Sequence, residues 1–100
     1  MTVTTQKDGT KLTILAEGKL GTTSAPELEK ALKDNISGMT ELVFDLGGVD
    51  YLASAGLRVL LSAAKVMKKQ GSMKIINVTP PVMDVFTFTG MADVLDIESA

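Results

Sequence analysis

The chain has 100 residues, 45% of them hydrophobic, and contains no His, Cys or Trp. Without His and Cys the commonest general base, the thiol nucleophile and the usual zinc ligands are missing, which excludes zinc enzymes, thiol enzymes, Ser-His-Asp hydrolases and disulfide-stapled modules. Ten basic against twelve acidic residues give a net charge of −2, with no basic surplus for a nucleic-acid partner.

The opening Met1 to Lys7 is polar and lacks the apolar centre of a signal peptide. The longest apolar stretch, Val59 to Met67, is broken by Ser62 and Lys65 and is too short for a membrane span. A single domain over residues 1–100 in the cytoplasm is the expectation. Val3 to Gln6 reads as a short strand that turns at Asp8-Gly9 into a second strand, Lys11 to Leu20. In that second strand Leu12, Ile14 and Ala16 alternate with Thr13, Leu15 and Glu17.

Thr23 or Ser24 is placed to cap the first helix, Pro26 suits its first turn, and Glu27 completes a capping box with Ser24. Leu28, Ala31, Leu32 and Ile36 then recur at helical spacing until Gly38. Glu41 to Leu46 is apolar on both faces, as a central strand should be, and Gly47-Gly48 reads as a turn. A long helix is expected from Ala55 to Gln70, closed by Gly71. Met73 to Val78 is another buried strand, Pro80-Pro81 opens a third helix ending at Gly90, and Val94 to Ile97 reads as a last edge segment. The order ββαβαβα predicts an α/β layered domain: a central mixed sheet of four to five strands with helices mainly on one face.

The turn into the long helix, Asp50 to Leu57, is where function concentrates. Ser54 falls at the helix start, where its oxygen would cap an orphan backbone N–H. A phosphate added at the same place would be stabilised by those groups and by the positive helix end. A catalytic role for Ser54 has no His to support it, and no Gly-x-Ser-x-Gly or phosphate-loop spacing is present. On a helical projection Leu57, Leu60, Leu61, Ala64 and Met67 should meet the sheet. Val59, Ala63 and Val66 form a second apolar flank, open either to a neighbouring helix or to a docking partner.

Val43-Phe44-Asp45-Leu46, Val49-Asp50-Tyr51-Leu52 and Ser54-Ala55-Gly56-Leu57 together resemble the signature of the STAS domain, the sulfate transporter and anti-sigma factor antagonist family. Gly18-Lys19-Leu20, Thr23 to Leu28, Phe86 and Thr89-Gly90-Met91 fit the same pattern. As a free-standing domain the chain is similar to the bacterial anti-sigma factor antagonists. The resemblance implies a non-enzymatic partner switch without cofactor or metal. The partners it implies are an anti-sigma factor with serine kinase activity, which phosphorylates Ser54, and a serine phosphatase, which resets it. The implied contact positions are Gly21, Thr22, Ala53, Ala55, Gly56, Leu57 and Arg58, with the Val59, Ala63 and Val66 flank. The chain has Ala53 and Ala55 around the serine and Gly21 after the second strand, where the family often carries Asp, Ser or Thr. These departures favour an alternative, a non-phosphorylated STAS scaffold in a signalling or lipid-transport assembly. Relatives commonly continue past the position of Ala100 into a further helix.

Overall fold

Alternating side chains shape the opening hairpin in the computed structural model, which describes residues 1–100. β1 (Thr2–Asp8) and β2 (Lys11–Leu20) pair antiparallel around Gly9, whose φ of +62° suits glycine. There follow α1 (Ala25–Asn35), β3 (Glu41–Leu52), α2 (Ser54–Gln70), β4 (Ser72–Val78), α3 (Pro80–Thr89), a 3-10 turn at Met91–Asp93, and β5 (Ile97–Ser99). The sheet order is β1-β2-β3-β4-β5, and every pair after the hairpin is parallel. Each parallel strand is added on the same side of its predecessor, so right-handed crossovers put the connecting helices on one face.

Burial marks that face. Leu12, Ile14 and Ala16 of β2, Leu42, Phe44 and Leu46 of β3, and Ile75 of β4 are all fully buried. They join Leu28, Leu60, Val82 and Phe86 from the three helices in one core. Val43 is buried but lies outside that core, between Thr13 and Lys74 in register. The opposite face therefore carries no helix, and ion pairs cross its strands: Lys11–Glu41 at 3.6 Å and Lys74–Glu98 at 2.9 Å. The hydrogen bond to Glu98, and then its charge, hold the Lys74 ammonium above the usual 10.5. A raised lysine stabilises the fold at neutral pH and loses that contribution only as pH climbs past its folded value. The pair is exposed, so it fastens β5 to β4 without adding much stability.

Several expectations are corrected by tertiary contacts. Gly47-Gly48 is not a turn but lies inside a twelve-residue β3, at an irregularity in its pairing with β2. A Cβ on Gly48 would stand 2.7 Å from Cγ of Glu17, so close strand approach, not turn chemistry, requires the glycine. Ser24 makes no capping box; its side chain turns back to β2 instead. Val94 lies outside the last strand, which begins at Ile97.

The buried face of α2 also differs from its projection. Gly56, Val59, Leu60, Ala63 and Met67 are buried, while Leu57, Leu61 and Ala64 are only partly so. At 100° per residue this turns the core-facing stripe by roughly 80° from the expected one. α1 is the cause, because it packs alongside α2 and draws the Val59 and Ala63 flank inward.

Candidate phosphorylation and partner-docking site

β2 and β3 end side by side, with Leu20 paired to Leu52. The Ala53 N–H donates to the Leu20 carbonyl at 2.9 Å, which holds the start of α2 beside the end of β2. The loop into α1 is fastened at the same level. Ser24 donates to the Lys19 carbonyl at 2.6 Å and accepts from the Gly21 N–H at 2.9 Å. Gly21 is half-buried, Thr22 is exposed, and both stand at this carboxyl end of the parallel strands. A Cβ on Gly21 would meet only the Tyr51 ring, at 3.5 Å, so a side chain fits there.

Ala53, extended at φ −102° and ψ 171°, occupies the N-cap, and Ser54 is the first residue of α2. This corrects the expectation that Ser54 caps the helix. Alanine has no side-chain oxygen for the orphan N–H groups, and the first turn holds no acidic residue. The Ser54 hydroxyl is left exposed. Nothing in the fold requires a serine at that position for helix capping.

Gly56 fixes the site's height above the sheet. Its ideal Cβ would lie 2.5 Å from Cγ of Leu20 and 2.9 Å from Cδ1 of Leu52, both in the core. Helix propensity alone would favour Gly56→Ala by about 1 kcal/mol. Overpacking against a branched carbon costs about 1–3 kcal/mol. The expected result is a net loss of up to about 2 kcal/mol in a urea unfolding curve, and a gain in stability would contradict this packing.

Beyond Gly56 the surface divides. Ala55 and exposed Arg58 line a groove between α1 and α2, with Thr22, Pro26 and Glu29 on the other side. Leu57 is half-buried. On the strand side, Tyr51 remains 49% exposed, with the Lys19 ammonium 5.6 Å from its ring centre and 3.9 Å from Asp50.

A family model for the STAS domain matches residues 2–100. This chain belongs to the STAS domain family. Among curated relatives, BtrV of Bordetella bronchiseptica is 31% identical over 102 aligned residues, covering 100% of this chain and 88% of that protein. The anti-sigma-B factor antagonist of Bacillus subtilis is 34% identical over 83 residues, covering 82% of this chain and 76% of that protein. The solved structure of an anti-sigma factor antagonist from Mycobacterium paratuberculosis superposes with a TM-score of 0.89 at 21% identity, covering 99% of this chain and 86% of that one. That likeness establishes the same fold.

Within this STAS domain the residues of the expected site are not equally available. Gly21, Thr22, Ala53, Ser54, Ala55, Leu57 and Arg58 gather around the start of α2 with at least partial exposure. Val59 and Ala63 are 3% and 0% exposed and belong to the core, which corrects their reading as docking positions. Val66 is 41% exposed but lies three turns down the helix from Ser54. Gly56 is buried and acts on the site through spacing. Lys19, Asp50 and Tyr51 border the site without having been expected as contact positions, although Asp50 and Tyr51 open the stretch where function was expected to concentrate. Tyr51 stood in the sequence signature, but its outward direction depends on the irregular β2–β3 pairing.

Proposed function

We propose that this STAS domain is an anti-sigma factor antagonist controlled by phosphorylation of Ser54. In the unphosphorylated state it binds an anti-sigma factor that is also a serine kinase, and the sigma factor is released. The kinase then transfers the γ-phosphoryl group of ATP to the Ser54 oxygen, ADP leaves, and the hydroxyl proton passes to a base of the kinase. A serine phosphatase hydrolyses the ester and restores binding. The observation that carries this reading is the exposed Ser54 hydroxyl at the uncapped start of α2, beside the exposed loop at Thr22. The relatives' names support the antagonist assignment.

The domain acts here as acceptor and binding surface, not as an enzyme. No helix is long and apolar enough to cross a membrane, and the proposed partners place the work in the cytoplasm. Incubation with the cognate kinase and ATP should add one phosphate to the wild type and none to Ser54→Ala, read by intact-protein mass. An unchanged wild-type mass overturns the switch. Ala53, Ala55 and Gly21 favour the second reading, a STAS scaffold whose binding ignores the state of residue 54.

A further inference from the structure

Arg58 is the chain's one arginine. Every ion pair in the structure joins a lysine to an acid, and Arg58 takes part in none of them. Glu29 of α1 lines the same groove, yet no ion pair within 4.0 Å forms between the two. Lys19 and Asp50, the other charged groups bordering the site, are engaged with each other. The guanidinium thus has no carboxylate to release before taking a new partner.

Its position on α2 supplies that partner. Arg58 follows Ser54 by four residues, and both are exposed. Residues i and i+4 share a helix face, with Cβ atoms about 5–6 Å apart. Helical side chains lean toward the N-terminus, so a long side chain at 58 reaches back over the turn that begins at 54. Acid before base is also the better order for such a pair.

We infer that Arg58 is a positioning residue for the modified state, holding the phosphate of phosphorylated Ser54 in a two-pronged i,i+4 ion pair. The inference rests on the proposed phosphorylation of Ser54 and deepens it. Guanidinium geometry matches two phosphate oxygens at once, which the point charge of a lysine does not. One modification then changes two features of the docking surface. The unphosphorylated domain offers a neutral hydroxyl and a free guanidinium; the phosphorylated domain offers a phosphate drawn back along the helix, with the guanidinium withdrawn from the partner.

The test separates this pairing from the kinase question by installing phosphoserine at position 54 during translation. Phosphorus NMR then reads the second phosphate pKa, which lies near 6 for an unpaired phosphoserine. The wild-type value should fall roughly 0.5 unit below that of Arg58→Gln, with Arg58→Lys between them. Arg58 is exposed, so these variants should fold as the wild type does. Equal titrations in the wild type and Arg58→Gln overturn the pairing and leave Ser54 phosphorylation standing. Failure of the kinase to modify Ser54 overturns the proposed function itself.

Discussion

Ser54→Asp should weaken binding to the anti-sigma factor by about 100-fold, whereas Ser54→Ala should bind within about threefold of the wild type. The proposed contact covers an exposed hydroxyl flanked by half-buried Ala53 and Ala55. Small neighbours let a partner surface come close, and a charge at the centre of such a contact loses its water. Burying a charge without a matched partner costs about 2–5 kcal/mol, and 100-fold corresponds to about 2.7 kcal/mol. The lower part of that range applies because the helix start and Arg58 offset some of the desolvation. Alanine removes a hydroxyl that caps nothing, so it should disturb neither helix nor contact. Titration calorimetry with the purified partner measures both variants, and thermal unfolding checks that each is folded. Equal affinity for Ser54→Asp and the wild type sinks the switch and favours the scaffold reading.

The contrast among α2 residues shows what was legible in the sequence. Strand alternation in Lys11–Leu20 and the end of α2 at Gln70 follow from local pattern, and the structure has both. The position of Ser54 at a helix start was legible too, because Ala53-Ser54-Ala55-Gly56 falls between a buried strand and an amphipathic run. Its hydroxyl's freedom was not. Whether residue 53 or 54 takes the N-cap depends on Ala53 being held to Leu20 across the strand ends. The side that α2 buries was misjudged for a similar reason. A helical projection finds apolar stripes, but only the neighbouring α1 decides that Val59 and Ala63 go inward and Leu57 stays partly out. Ser24 had the spacing of a capping box, yet the Lys19 carbonyl lay within reach and took its hydroxyl. The groove with Arg58 and Glu29 exists only once the two helices are side by side.

Gly71→Ala should cost about 3 kcal/mol and lower Tm by about 12 °C or more, the largest loss expected of any alanine at a glycine in this chain. The sequence reads Gly71 as the glycine that closes the helix, a place where left-handed backbone is common. Its φ is instead 168°, extended backbone open to any residue. The reason for glycine lies across the fold. An ideal Cβ there would collide with the Thr40 carbonyl oxygen, and would stand 2.5 Å from the Thr40 carbonyl carbon and 2.8 Å from its Cα. That backbone has little freedom to retreat. The Thr40 N–H and the Glu41 N–H both donate to the Thr10 carbonyl, at 2.9 and 3.2 Å, and the Thr40 carbonyl accepts from the Ser72 N–H at 3.0 Å. Gln70 adds bonds to the Ile36 and Met39 carbonyls, at 2.9 and 2.7 Å. Moving the α2–β4 turn away would break the Ser72 bond at the start of the β3–β4 register. Overpacking accounts for about 1–3 kcal/mol and a lost hydrogen bond for about 1 kcal/mol. Gly90→Ala is the matching control, because Gly90 is left-handed at φ +79° with open space around its Cβ position. There the cost should be only the backbone term of about 1–2 kcal/mol. Thermal unfolding of the two variants side by side decides the matter: if Gly90→Ala loses as much as Gly71→Ala, the Thr40 contact is not the dominant constraint at Gly71.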